Sequence, residues 1–326
     1  MQVHYNIDKL PVFRKAVVTI GTFDGVHAGH RKVLQQLMEE ADKIDGESLI
    51  ITFHPHPRKV IRTGQSPLLL INTIEEKIEL LEATGIHHLV IVPFTEMFSK
   101  FTATQYVEDF LIGRFHPHTI IIGYDHHFGR GREGNYKLLE EYSARNYFTL
   151  REIPELLIHQ NSVSSTAIRN TIQKGQIDKA NELLSYEFFF EGNIIEGNKI
   201  GRTIGFPTAN ISVTDEEKVL PGIGVYAVRV EIKGRVGEKA TEDPPRQAVA
   251  ESNFLNGMMN IGRRPTVDGT TIVIEVHLFN FSQDIYNQQL RVYVVSFLRK
   301  EQKFDGLDQL KEQLALDKKS AIQILI

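Results

Sequence analysis

Cysteine and tryptophan are both absent from the 326 residues. Without cysteine there are no disulfides and no thiolate-held metals, so any metal site must use oxygen or imidazole donors. Long apolar runs are missing too: no uncharged stretch approaches the roughly 20 residues that a membrane helix needs. The opening MQVHYNIDKLPVF lacks the basic start and apolar segment of a signal peptide. The expected home is the cytoplasm, with no membrane partner. Basic excess is the last absence. The formal charge is −4, whereas binding to a phosphate backbone calls for clear positive charge. Nucleic acid is therefore not expected as a partner, although local basic loops suit a small phosphorylated ligand. Nothing in the sequence fixes self-association.

The chain is longer than one core usually serves, so two domains are expected. Its first half alternates apolar runs with helical patterns. AVVTIG (16–21) leads to a helix over 30–43, and SLIITF (48–53) to a loop. IEEKIELLEATG (74–85), HHLVIVPF (87–94), a polar helix near 103–112, HTIIIGYD (118–125), NYKLLEEYSARN (135–146) and FTLREIP (148–154) continue the series. Unbroken Val/Ile/Leu strands separated by helices predict a doubly wound parallel sheet covered on both faces.

After a single helix predicted over about 166–185, short β-like runs take over: EFFFEGNII (187–195), GVYAVRVEI (224–232), GMMNIG (257–262), TIVIEVHLFNF (271–281) and QLRVYVVSFLR (289–299). Glycine-bearing turns between them predict a small antiparallel β-barrel, closed by a final helix. The polar insert 233–251 reads as a long exposed loop. The expected division is 1–185 and 186–326.

Two segments carry chemistry on their residues alone. GTFDGVHAGH (21–30) follows the first predicted strand, where ligands of open parallel sheets gather. Gly21, Gly25 and Gly29 let a backbone approach a bulky polyanion, the next helix offers its positive end, and His27 and His30 donate to phosphate oxygens. An isolated HxxH would more often be a surface pair or half a metal site. The remaining histidines show no ligand spacing, and the glycine frame favours phosphate. GRGREG (129–134) matches a dinucleotide fingerprint but does not open the first strand–turn–helix unit, and two of its variable positions are arginines. It reads instead as a loop lending Arg130 and Arg132 to a phosphate or ribose. In the second half, GNKIGRTIGFPTAN (197–210) is a flexible loop whose Gly197, Lys199, Gly201 and Arg202 suit ATP phosphates. The hydroxyl of Thr208 beside the amide of Asn210 suits Mg²⁺ with its waters.

GTFDGVHAGH resembles the G-x-F-D-x-x-H-x-G-H signature of dinucleotide-fold nucleotidyltransferases. GYDHHFGRGREG and VSSTAIR (163–169) resemble further motifs of one branch, the bacterial bifunctional riboflavin kinase/FAD synthetases. FPTAN, LPGIGVYAV (220–228), MNIGRRPT (259–266), IEVHLFNF (274–281) and SFLRKEQKF (296–304) are similar, in order, to that family's flavokinase module. The resemblance implies an ATP-using enzyme that turns riboflavin into FMN and FMN into FAD. It assigns ATP phosphates to Gly21, Phe23, Asp24, Gly29, His27 and His30, and, from the other side, to Ser164, Ser165, Thr166 and Arg169. By the same resemblance Phe53, His56 and Asp125 shape a flavin or nucleotide pocket, and Thr208 and Asn210 hold Mg²⁺ and ATP. Glu275 is then the general base, and Arg299 and Glu301 belong to a loop closing over the flavin. Four positions depart from the family pattern. Ser185-Tyr186 stand for a usual Gly-Arg pair, Asn280 for aspartate, and Asn287 for a common glycine.

Overall fold

The computed structural model describes residues 1–61, 68–123, 126–153, 163–197, 200–235, 254–266 and 269–326. Asp125, Lys199 and all of the polar insert from residue 236 onward lie outside them. The chain forms two compact units, Met1–Ser165 and Thr166–Ile326.

In the first unit β1 (Gln2–His4), β2 (Val17–Ile20), β3 (Ser48–His54), β4 (His88–Pro93), β5 (Thr119–Gly123) and β6 (Thr149–Ile153) form one sheet in the order β1-β4-β3-β2-β5-β6. Every pairing in it is parallel. Residues alternate between faces along a strand, and here both faces are covered. Val18, Ile51 and Phe53 join one core, while Val17, Ile50 and Leu89 join another with Leu34 and Leu37 of α1 (Ala28–Lys43). Burial on both faces is why these strands carry unbroken aliphatic runs. α2 (Ile74–Glu82) starts on a capping box in which Thr73 and Glu76 satisfy each other's backbone N–H. α3 (Tyr136–Ala144) begins at Asn135, whose side chain accepts from Leu138 N. The expected polar helix is present as successive helical pieces from Ala103 to Phe115, with π-type pairing over Tyr106–Ile112.

The single helix predicted over 166–185 is two: α4 (Ser165–Gln173) and α5 (Ile177–Leu184). Apolar residues recur across the gap, but Gly175 takes φ +73, outside the helical range, and ends the first helix. α5 packs in the second unit through Asn181. Its amide donates to Val294 O (2.9 Å) and accepts from Phe188 N (2.8 Å), tying two barrel strands to the helix.

Those strands are β7 (Phe188–Ile195), β8 (Ala209–Ser212), β9 (Gly224–Arg235), β10 (Leu255–Thr266), β11 (Gly269–Leu278) and β12 (Gln288–Arg299). They close into a six-stranded antiparallel barrel ordered β10-β11-β8-β7-β12-β9. The register partners Ile211, Ile274 and Ile261 are all buried and mark the inner face. α6 (Leu307–Leu325) covers part of the outer wall through Ala321 and Leu325, against Phe206, Met258 and Phe279. Besides the divided helix, two short strands depart from the predicted pattern: three-residue β1 and four-residue β8 were not expected.

Candidate active sites

In the first unit β2 lies at the centre. The chain leaves it for β3 on one side and returns through β5 on the other. The crevice above the carboxyl ends of such a pair is where open α/β sheets bind ligands, and residues 21–27 fill it. Gly21 prolongs β2 by donating to Ile51 O at 3.0 Å. Phe23, Gly25 and Val26 then take φ of 48°, 91° and 35°. For a β-branched valine this is a strained conformation, held here by complete burial of its side chain. The kinked turn delivers the chain to the N-terminus of α1, whose first turn holds no acidic residue.

His27 is the N-cap: its Nδ1 accepts from His30 N at 3.3 Å. With Nδ1 accepting, a neutral His27 carries its proton on Nε2, ready to donate. The His27 and His30 rings stack at 3.6 Å between centroids, 16° from parallel. Burial pushes the His27 pKa down to about 4. Burial, then the charges of His27 and Lys77, push His30 well below its ordinary value. His30 Nδ1 is buried with no hydrogen-bond partner. The result is a neutral imidazole pair at a positive helix end, and one buried ring nitrogen lacks a protein partner. Such a pair can donate to an anion without the repulsion of two stacked cations. Among the described residues, no group of His, Cys, Asp or Glu could hold a metal.

The other residues of this half fall in different places. The Asp24 carboxylate is buried and accepts from Ile71 N (2.9 Å) and Asn72 N (3.4 Å), so it anchors the segment entering α2. Ser165 Oγ donates to Asp24 O at 2.9 Å, joining the VSSTAIR segment to the glycine turn through the first residue of α4. Ser164 is exposed beside it, and Thr166 and Arg169 lie on the first two turns of the same helix. Gly29 sits close against the His27 ring, where a Cβ would come within 3.3 Å. Phe53 is buried among Phe94, Phe98 and Phe110, with ring centroids 5.5, 5.7 and 6.5 Å away. His56 is buried as well, its Nδ1 accepting from Arg58 N at 3.1 Å. The GRGREG loop folds on its own neighbours: Arg130 N donates to Phe101 O, and Glu133 accepts from Ala103 N. Arg130 and Arg132 themselves are exposed.

In the second unit, strand register assembles a site. Asn210 on β8 and Asn260 on β10 both lie directly opposite Glu275 on β11. Directly opposed residues share a face with Cβ atoms about 5 Å apart, and this face is the one opposite the inner Ile211–Ile274–Ile261 row. Gly197 and Gly201 pack close to the same row. A Cβ on Gly197 would fall 1.9 Å from Asn210 Nδ2, and one on Gly201 would fall 3.5 Å from Thr208 Oγ1. At 197 the Asn210 amide leaves room only for glycine, and at 201 the Phe206 carbonyl oxygen does, 2.2 Å from where a Cβ would stand. Glu301 also comes in, since a Cβ on Gly262 would lie 2.4 Å from its Oε1.

Four residues outside the sequence-derived set support this row. Asn260 completes it, and Arg264 donates to Glu275 Oε1 at 2.8 Å. His277 Nδ1 sits 2.8 Å from Pro207 O. A proton on that nitrogen makes His277 the donor and fixes the residue before Thr208. Burial, chiefly, pushes His277 below its ordinary pKa. Finally, buried Asp317 on α6 receives Nε and Nη2 of Arg299 at 2.8 and 2.7 Å. The guanidinium is thus committed to tying the end of β12 to α6. Pattern alone could have found His277, which stands two residues from Glu275 on β11, whereas Asn260 enters through the β10–β11 register. Arg264 and Asp317 required three dimensions. A separate cavity of about 500 Å³ opens near the inner face, lined by Ile194, Ala209, Val276 and the 281–286 loop. It shares Arg202 and Thr208 with the loop region but does not include Glu275 or Asn210.

Comparison with known proteins resolves what two such sites have in common. The FAD synthetase family model matches residues 10–167, and the riboflavin kinase family model matches residues 184–325. The chain belongs to the bifunctional riboflavin kinase/FMN adenylyltransferase family. The family's curated member from Haemophilus influenzae is 35% identical, over 95% of this chain and 94% of its own. Its member from Bacillus subtilis is 34% identical over 95% and 92%, and that from Escherichia coli K12 is 35% identical over 97% and 95%. A solved structure described as a macrolide-efflux protein from Streptococcus pneumoniae is 29% identical, with a TM-score of 0.83 over 98% of each chain. That description is the relative's own. No helix among the described residues here is long and apolar enough to cross a membrane.

The departures from the family pattern now have a physical form. Ser185 caps α5 at φ 63°, ψ 23°, the left-handed position that glycine occupies at least cost. Asn287 (φ 60°) and Asn280 (φ 54°) are left-handed as well. Asparagine tolerates that region better than most side chains, so the turn after Tyr286 keeps a glycine-like backbone without glycine.

Proposed function

We propose that the two sites act in sequence on one flavin. At the barrel, Glu275 takes the proton of riboflavin's primary alcohol as that oxygen attacks the γ-phosphorus of ATP, releasing ADP and giving FMN. At the glycine turn, a phosphate oxygen of FMN attacks the α-phosphorus of a second ATP, giving FAD and pyrophosphate. There the first turn of α1, His27 Nε2–H and His30 bear the phosphate charge. The observation that carries this reading is the register pairing of Glu275 with Asn210, which seats a base beside the hydroxyl–amide pair under a glycine loop.

Thr208 and Asn210 offer hard oxygen donors, and these fit Mg²⁺ arriving with ATP phosphates. Bound there, the ion would neutralise developing phosphate charge. Gly197, Gly201, Arg202 and Lys199 serve the triphosphate, and the 500 Å³ cavity beside Thr208 suits the nucleoside end. Ser164 and Ser165 complete the phosphate grip of the adenylyltransferase within the first unit. Phe53, His56 and Asp24 act there as framework behind the flavin and nucleotide. Glu301 faces the flavin side of the kinase, and Arg299 holds its loop. The working division is 1–185 and 186–326, in the cytoplasm where ATP is available.

The test is a product assay with riboflavin, ATP and Mg²⁺, separating FMN from FAD. His27→Ala should cripple FAD formation and leave FMN formation nearly intact, while Glu275→Gln should cripple FMN formation yet still convert supplied FMN to FAD. Equal loss of both activities in either variant would overturn the two-site reading.

A further inference from the structure

Glu275 does not face its substrates alone. It stands between Asn210 and Asn260 on the outer barrel wall, and Glu301 approaches the same wall at Gly262. Two carboxylates near a triphosphate concentrate like charge where phosphoryl transfer must occur. The cation that meets Glu275 is Arg264, Nη2 to Oε1 at 2.8 Å. Its position is not the obvious one. Arg264 lies opposite Thr271, four residues along β10 from the position facing Glu275, about 13 Å at a strand's rise. Alternation puts Arg264, Gly262 and Asn260 on one face, so the guanidinium reaches back past Gly262 to the base. Arg263, one residue closer, points to the other face.

We infer that Arg264 is a positioning residue for the kinase step: it holds the Glu275 carboxylate in line for the substrate hydroxyl and offsets that carboxylate's repulsion of the γ-phosphate. Both side chains are partly open to solvent, 41% and 23% exposed, so a contribution to folding stability is small. The effect belongs to the reaction. A base displaced by about 1 Å costs on the order of 100-fold in rate. The inference rests on the kinase reading of the barrel and on Glu275 as its base.

The test uses the full chain and five proteins: wild type, Arg264→Met, Arg264→Lys, Glu275→Gln and the Arg264→Met/Glu275→Gln double variant. Arg264→Met should lower kcat for FMN formation about 100-fold, with KM for riboflavin and ATP within about threefold of wild type. FAD formation from supplied FMN, at the other site, should be unchanged, and the kept KM values of the kinase site report that the barrel is folded. Arg264→Lys, which keeps the charge but loses the planar fork, should recover about a tenth of wild-type kcat. In the Glu275→Gln background, removing Arg264 should cost nothing more, because the two act as a unit. An additive loss in the double variant would overturn the inference, as would wild-type kcat in Arg264→Met or a loss confined to KM. Absence of FMN formation by the wild-type chain would instead sink the kinase reading itself.

Discussion

Acidification from neutral pH should loosen the first unit at the histidine turn. His27 is 5% exposed, and its pKa falls from the ordinary 6.5 to about 4 because burial disfavours the imidazolium. Below pH 6.5 the unfolded chain binds a proton at this position that the folded turn refuses until pH 4. Stability is therefore constant above pH 6.5 and lost on descent through that window. The linkage amounts to about 2 kcal/mol at pH 5 and about 3 kcal/mol at pH 4 from this residue alone. His30 is depressed in the same direction and adds to it. Hydrogen exchange of the β2 amides reads the opening free energy of this unit in the intact chain. Between pH 7.5 and 5 it should fall by at least about 2 kcal/mol after correction for intrinsic exchange rates. His27→Asn keeps an N-cap acceptor for His30 N–H but cannot titrate, so it should remove about 2 kcal/mol of that dependence. If the variant loses protection with pH as steeply as the wild type, the buried histidine is not the source. The reading of the turn as a neutral donor pair then fails with it.

Three further outcomes follow from particular contacts. Gly197→Ala places a methyl 1.9 Å from Asn210 Nδ2, so KM for ATP in FMN formation should rise about tenfold or more, a loss of roughly 1.4 kcal/mol of binding; an unchanged KM would refute the loop–amide packing. Ser185→Gly relieves a left-handed serine and should raise the stability of the second unit by about 0.5–1 kcal/mol, read as a higher urea midpoint at constant m. Asp317→Ala strands the guanidinium of Arg299 and should destabilise that unit by about 3 kcal/mol; a loss under about 1 kcal/mol would mean the pair is effectively solvated.

The parallel sheet was legible because burial on both faces demands unbroken aliphatic strands such as SLIITF, and the barrel because its strands are long and punctuated by glycine turns. The division of α4 from α5 was not. Ile168, Ile172, Ile177, Ala180 and Leu184 are all buried and read as one amphipathic stripe; only the backbone of Gly175 breaks it. Strands as short as β1 and β8 have too few residues for a period-2 signal to emerge. At the sites, motif positions do not disclose what each residue touches. Asp24 sits inside a phosphate-binding signature, yet its carboxylate is spent on amides 47 and 48 residues away. Phe53 likewise is packed into a phenylalanine cluster that no local pattern discloses. The Arg264–Glu275 pair depends on the β10–β11 register, which turn chemistry and barrel closure set together.

Strand β8 has a consequence for how the barrel half folds. Its four residues sit between β7 and β11 in the closed ring, and Asn210, opposite Glu275, is one of them. A slip of one residue would turn Asn210 inward and Ile211 outward, so ring closure and assembly of the kinase groups become one event. Any change that frees β8 from the ring therefore parts Asn210 from Glu275 in the same step.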